Sequence, residues 1–411
     1  MTKVRRLLAF LLAVSLATPA LAVDGWNTLS MSANGPTWTD IHCEKLTTSK
    51  VVCANRAATS PTNAVKLIDL STNPVTITTF DAPTPVTANF GKIRGVGGNS
   101  TTIRMSGGGN SSANFGSWIA TSSISSPSTW TLHRDMTSSP TYVAFGGQLP
   151  DFGSADFGTS AMNNNASSAI GAIYTVTTSP IAFTGPTTWS YASQVFKDEI
   201  SGVKVTATYY FGARAGNSRI YCDGYSGSGT SYLFSPAGIG SCNIGPATAT
   251  AIMRPAFTDG TLGFAVAYDT ASSGATNICA LNSSGTRTIQ ERDVGVDLRP
   301  GAYFTFPSGS ARAYLWSTAG VAWVGNGASP TAFANEAGTT HDITCDSGTV
   351  TQVIAGVDVD NDADSTDNVL AFCSSGNAQY WGSAIAAASS GYRAPKRSRI
   401  GPFNNLPFRG P

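Results

Sequence analysis

A Pro-Thr-aromatic punctuation recurs along the chain, and its spacing limits the folds available. Gly35-Pro36-Thr37-Trp38 is the first copy, Pro127-Ser128-Thr129-Trp130 and Pro186-Thr187-Thr188-Trp189 echo it, and Pro330-Thr331-Ala332-Phe333 is a weaker one. Asn73-Pro74-Val75-Thr76 and Ser235-Pro236 stand where further copies belong. The prolines at 36, 74, 127, 186 and 236 are 38, 53, 59 and 50 residues apart. Two such steps fit between 236 and 330, with Ser284-Gly285-Thr286 near the middle, and Gly376–Trp381 falls one step after 330. Repeats of about 40–50 residues, each able to hold four short strands, are the signature of a β-propeller. Proline lacks a ladder donor, so it belongs at a turn or on an edge strand. The aromatic after it can fill the gap between neighbouring sheets. The steps count out about seven four-stranded blades over residues 23–388. The copy at 35–38 precedes the first full blade, so this segment can lend a strand to the last blade and close the ring, which removes exposed edges.

The rest of the pattern is all-β. Short runs rich in Val, Ile, Thr, Tyr, Phe and Trp alternate with Gly, Asn, Ser and Pro clusters, and helical periodicity is nearly absent after the first residues. Strands are predicted at Lys50–Ala54, Ser117–Ala120, Ala169–Thr177, Val203–Phe211, Thr261–Tyr268 and Ala311–Trp316. Two β-sandwich domains are the competing architecture, and they leave the repeat unexplained.

The N-terminus addresses the compartment. Lys3, Arg5 and Arg6 precede an apolar run from Leu7 to Leu16, followed by the small-x-small triplet Ala20-Leu21-Ala22. This is the layout of a signal peptide over residues 1–22, too short to span a bilayer. The expected destination is secretion or the cell surface, the periplasm or exterior of a bacterium. No later apolar run is long enough for a transmembrane helix. Charged residues make up 12% of the chain and the net charge is +1, which provides no field to draw nucleic acid or an anionic membrane. Residues 389–411 carry Arg393, Lys396, Arg397, Arg399 and Arg409 among Pro and Gly and read as a basic flexible tail.

Seven cysteines follow the leader, and an exported chain should pair them. Cys43 and Cys53 flank the turn Thr47-Thr48-Ser49. Cys222 with Cys242, and Cys345 with Cys373, are each separated by one hairpin-sized stretch. These three pairs are the expected disulfides, with Cys279 left over. Zinc is disfavoured, because no CxxC occurs and the chain has three histidines.

Two resemblances attach to particular residues. The Thr-Trp endings resemble the tail of the Asp-box repeat of sialidase-type propellers, roughly Ser-x-Asp-x-Gly-x-Thr-Trp. Ser123–Trp130 keeps the Ser and the Thr-Trp, with Ser125 and Pro127 at the Asp and Gly positions, while Gly185–Trp189 keeps only the ending. The run Asp358-Val-Asp360-Asn-Asp362-Ala-Asp364-Ser-Thr-Asp367 resembles the calcium loop of integrin-type (FG-GAP-like) propeller repeats and of EF-hands. Carboxylates at alternate positions can turn oxygens onto a hard cation that takes six to eight of them. Ala363, Thr366 and Val369 depart from both patterns. The resemblance implies a structural Ca²⁺ held by Asp358, Asp360, Asp362, Asp364 and Asp367.

A sialidase-like site would use three arginines to grip a carboxylate in bidentate forks. Arg94, Arg254 and Arg299 stand near the starts of candidate inner strands. Tyr142, Tyr209 and Tyr303 could supply a nucleophile, and Asp156, Asp259 and Glu291 an acid. The Phe/Tyr-Arg-Ile-Pro motif of sialidases is missing, and no nucleophile elbow, HExxH, Walker loop or Rossmann fingerprint occurs. His341, with Asp342 and Asp346, could join a metal but reads more simply as a loop residue. The expected function is therefore a monomeric binding or scaffold module that recognises glycan or extracellular protein. The alternatives are a propeller-type glycoside hydrolase and a surface structural protein.

Overall fold

The computed structural model describes residues 25–29, 35–72, 74–84, 92–108, 117–135, 144–146, 156–165, 168–178, 181–192, 199–206, 209–216, 219–228, 231–233, 242–244, 251–269, 274–306, 310–359, 368–375 and 378–382, some of them as backbone only. The predicted leader and the basic tail lie outside them. Every regular element described is a strand, and no helix among the described residues is long and apolar enough to cross a membrane.

The strands form antiparallel meanders. One four-stranded sheet runs Ile41–Thr47, Lys50–Asn55, Val65–Asp69, Thr76–Phe80, and another runs Leu298–Phe304, Arg312–Ser317, Ala322–Gly325, Phe333–Asn335. Two five-stranded sheets are built on Glu199–Thr206 and on Ala251–Met253 with Phe257–Thr258. An eight-stranded sheet joins two meanders, Lys92–Gly98 to Ser126–Asp135 and Ala144–Gly146 to Ile181–Ala192, through the pair Ala144↔Gly108. The last sheet takes Ser347–Val357, Asn368–Ser375 and Ala378–Gly382 from the C-terminal part and its outer strand, Gly25–Leu29, from the N-terminus.

The burial pattern shows how the sheets are arranged. Each of the five apolar clusters lies between two consecutive sheets. Val52, Val65 and Phe80 meet Ile93, Met105 and Trp118. Val203 and Phe211 meet Met253, Ala265 and Leu281. Phe264 and Ile278 meet Leu298, Leu315 and Phe333. Tyr314 and Trp316 meet Val353 and Trp381. The fifth, with Ile354, Leu370 and Tyr380 against Ile41, Val51 and Ile68, joins the last sheet to the first. Successive first strands also touch round the full circuit, Ser347–Val357 reaching back to Ile41–Thr47. Sheets buried on both faces by their neighbours and closed end to end are the propeller arrangement. Strands with two buried faces need nearly continuous apolar runs, as in Ala275–Asn282, buried at seven of its eight positions.

The repeat sits where its chemistry requires. Pro127 and Pro186 lie on the outermost strand of their meanders, an edge that tolerates a missing donor. Trp130 leans onto the preceding sheet, its Nε1 donating to Asp81 O at 2.7 Å and its ring 6.3 Å from Phe80. Phe333 does the same against Phe264, edge-on at 6.3 Å. The partial Asp box at Ser123–Ser126 is the turn between third and fourth strands, closed by hydroxyl contacts such as Ser123 to Ser125 at 2.8 Å. The first copy differs, since the closing strand Gly25–Leu29 precedes it. Val203–Phe211 is two strands, not one, with Glu199–Thr206 antiparallel to Tyr209–Gly216. Lys204-Val-Thr-Ala-Thr-Tyr carries no Gly or Pro to mark that hairpin.

The seam is held by side chains. Trp26 packs edge-on against Trp316 and Trp381, and its indole donates to His341 O at 3.2 Å. Gln352 of the last sheet clamps one residue of the first: its Oε1 accepts from Cys43 N at 2.7 Å and its Nε2 donates to Cys43 O at 3.0 Å. Gln352→Ala orphans both backbone groups and is expected to cost about 2–3 kcal/mol in urea unfolding. A loss below about 0.5 kcal/mol would show that the clamp is incidental.

The cysteines correct one expectation. Cys43–Cys53 and Cys345–Cys373 are disulfides. Cys222 faces Cys242 in register on adjacent strands, yet it keeps a buried thiol, and Cys279, expected to be the odd residue, is disulfide-bonded. Cys222 and Cys279 lie in one inter-sheet core, on facing sheets.

Candidate functional site

Residues at the starts of four first strands, those carrying Asp40, Arg94, Arg254 and Asp297, lie together at one level of the central channel. At the starting end, Asp40 precedes Ile41–Thr47, Asp297 precedes Leu298–Phe304, Arg299 is that strand's second residue, and Arg254 follows Ala251–Met253. They converge. Arg56 Nη1 and Arg254 Nη1 each stand 3.7 Å from Asp40 Oδ1. Arg254 Nη2 reaches Asp297 Oδ1 at 3.2 Å, and Arg299 Nη2 reaches Asp297 Oδ2 at 2.8 Å. Arg299 also donates to Thr39 O at 3.3 Å, and Arg56 to Met253 O at 2.6 Å. The Arg254 guanidinium lies over the Tyr268 ring at 5.6 Å.

The electrostatics follow from this crowding. Burial pushes the Asp40 carboxyl up, but the charges of Arg56, Arg254, Arg299 and Arg94 outweigh it and hold the group below its ordinary value. Its Oδ1 is sealed from solvent, while the side chain as a whole stays 23% exposed. Burial, then the like charge of Arg254, lowers Arg299 to about 10, still charged at neutral pH. His42 is buried, its Nδ1 accepts from Val96 N at 3.3 Å, and burial with the field of Arg56 lowers it to about 3. The three arginines singled out from the sequence, Arg94, Arg254 and Arg299, are thus brought together. The position an incoming carboxylate would take among them is filled by the chain's own Asp40. Sequence reasoning missed Asp40, Arg56 and Asp297; the signal was an aspartate directly before a strand-forming run, at Asp40-Ile41 and again at Asp297-Leu298.

Four residues further along the same strands, about 13 Å at 3.3 Å per residue, a cavity of about 350 Å³ opens. Its wall includes Glu44 and Lys45, Val203, Ala256 to Thr258, Pro300 to Tyr303, and Gln352 to Gly356. Three inner strands bulge there, between Lys45 and Thr47, Arg299 and Ala302, and Ala355 and Val357. An extra residue bends a strand away from its ladder, which widens the channel at this level. Gly301 permits one of these bulges, because a Cβ there would sit 1.6 Å from Tyr314 O.

The other sequence candidates scatter. Tyr303 lines the cavity, and burial and the nearby Asp259 charge raise its hydroxyl above the ordinary tyrosine value. Glu291 is raised by burial and spends an oxygen on Phe333 N at 3.0 Å, between two sheets. Tyr142 and the side chains of Tyr209 and Asp156 lie outside the described residues. His341 stacks on Phe306 at 4.1 Å and meets Glu336 Oε2 at 2.8 Å, while Asp342 accepts from the backbone of Ala322 and Gly338. In the acidic run, Asp358 N donates to Thr48 O at 2.7 Å, and Asp360, Asp362, Asp364 and Asp367 lie outside the described residues.

No known family and no curated protein matches the sequence. Solved structures of similar shape include YCF48 bound to a D1 peptide, at 12% identity over 90% of this chain and 100% of that one, TM-score 0.45. Sqt1 of Chaetomium thermophilum, bound to the N-terminus of ribosomal protein L10, aligns at 11% identity over 86% and 90%, TM-score 0.45. The GH32 β-fructofuranosidase BmSUC1 of Bombyx mori aligns at 8% over 93% and 98%, TM-score 0.37.

Proposed function

We propose that this chain is a secreted or surface-displayed β-propeller that works as a binding module, recognising glycan or protein through the cavity end of its channel. Seven first strands make the ring if the eight-stranded sheet counts as two blades. One observation carries the choice of binding over hydrolysis. Among the described residues, the carboxylates at the starting end of the channel, Asp40 and Asp297, are both held by guanidinium groups. A glycoside hydrolase needs two carboxyl groups flanking the bond, one raised so that it can give a proton. Asp40 is shifted the other way, and Glu44 is the sole carboxylate on the described cavity wall. A glycan array probed with the mature chain tests this reading, followed by chromatography of the bound glycans after incubation. Retention of intact glycan is expected, and release of shortened sugar would overturn it.

The acidic run 358–367 we take as a calcium loop that stiffens the last blade, as the Cys345–Cys373 bridge does further along the same hairpin. Chelator is then expected to lower the melting temperature by several degrees, restored by added Ca²⁺. An unchanged midpoint counts against the loop.

A further inference from the structure

We infer that the channel cavity holds a single neutral pyranose ring, laid on Phe257 and bonded through its hydroxyls to Tyr303, Glu44 and Lys45. This rests on the binding-module reading and names the ligand of the same site. Phe257 lines the cavity, and one face of its ring is covered by Phe264 in a near-parallel stack, centroids 4.8 Å apart at 10°. Phe257 is only part-buried, and it packs against the apolar core between its sheet and the next while also lining the cavity. An aromatic face fixed from behind is a rigid platform for the C–H face of a sugar, with little side-chain freedom left to lose on binding.

The polar groups around it match hydroxyls. Glu44 accepts, Lys45 donates and the Tyr303 hydroxyl does either. Opposite charges on Glu44 and Lys45 leave the described wall without a net charge of its own, which favours an uncharged ligand over a phosphate or a carboxylate. The volume is at the small end of ligand pockets, which run about 300–1,000 Å³ against about 350 Å³ here. It admits one ring with a substituent and not a buried oligosaccharide, so the site reads a chain end. The remaining hydroxyl on this wall, Thr258, is already spent, its Oγ1 donating to Leu262 O at 2.7 Å and accepting from Gly260 N at 2.9 Å.

Saturation-transfer NMR and calorimetry on the mature chain, with methyl glycosides of glucose, galactose and mannose, N-acetylglucosamine, and sialic acid as the charged comparison, test the inference. At least one neutral glycoside is expected to bind with millimolar affinity or better. Phe257→Ala should weaken it at least tenfold and Tyr303→Phe about threefold to tenfold. Phe257→Trp, which restores a ring, should recover most of the loss even if Phe257→Ala lowers stability. Binding of neutral sugar that is unchanged in folded Phe257→Ala and Tyr303→Phe would overturn the site while leaving the glycan-binding reading intact. Binding of sialic acid alone would overturn neutrality. No sugar binding by the wild type, here or on the array, would overturn the inference and the glycan arm together, leaving protein recognition.

Discussion

Asp40→Asn should destabilise the protein by about 2–4 kcal/mol at pH 7, read as a lower urea midpoint at unchanged slope. The substitution keeps size and removes one charge at the point where the first sheet and the sheets carrying Arg254 and Arg299 meet across the channel. Arg56 and Arg254 each lose an anion 3.7 Å away, while Arg254 keeps Asp297. Arg299, at about 10, stays charged at neutral pH beside them. Breaking a fully buried pair costs about 3–5 kcal/mol; the 23% exposure of Asp40 lets water take part of the load, hence the lower range. A change under 1 kcal/mol would mean that the cluster is not what ties these sheets together.

The second large effect is on acid stability, through His42. Its pKa is about 3 in the fold against an ordinary 6.5, so below pH 6.5 the unfolded chain binds a proton that the native one refuses. The stabilisation is complete above the unfolded value and is lost as the pH falls from about 6.5 toward 3, at up to about 1.4 kcal/mol per pH unit. Over the window from pH 6.5 to 4 this amounts to about 3 kcal/mol. His42→Gln, which keeps a neutral acceptor within reach of Val96 N, should flatten the curve between pH 6.5 and 4.5. Glu291, raised by burial, offsets part of this by gaining stability as the pH falls toward 4.5; below about pH 3.8 the lowered carboxyls of Asp40 and Asp69 add their own loss. Thermal melts across this range decide the matter; an identical slope in wild type and His42→Gln would assign the acid sensitivity elsewhere.

The radial architecture was legible because it is written in local chemistry. Proline on an outer strand and an aromatic leaning onto the preceding sheet are properties of a few adjacent residues, and Pro127 with Trp130 shows both. Inner-strand starts at Arg94, Arg254 and Arg299 could be read the same way, from a basic residue at the head of an apolar run. What they converge on could not. Asp40 lies more than 200 residues from Arg254 and Arg299 in the chain and becomes their neighbour only when the ring closes. The cysteines fail for a related reason. Spacing along a hairpin finds Cys43 with Cys53, but Cys279 sits on a neighbouring sheet, and sequence distance carries no information about which sheet faces bring sulfurs together. The cavity was invisible because its shape comes from bulges at Lys45, Pro300-Gly301 and Gly356, which only the strand register reveals.

The pairing of Gly25–Leu29 with Ala378–Gly382 sets an order of manufacture. Gly25–Leu29 lacks this partner until Ala378–Gly382 has emerged, more than 340 residues later, and every intermediate before then carries a raw edge on its final sheet. Contacts at such separation come late and slow the search for the native state. Prolonged incompleteness is a hazard where neighbours are concentrated and a smaller one for a chain delivered singly through a pore. Moving the termini to a turn between two complete meanders would trade the long-range latch for a short hairpin, and such a permutant should reach its native form sooner.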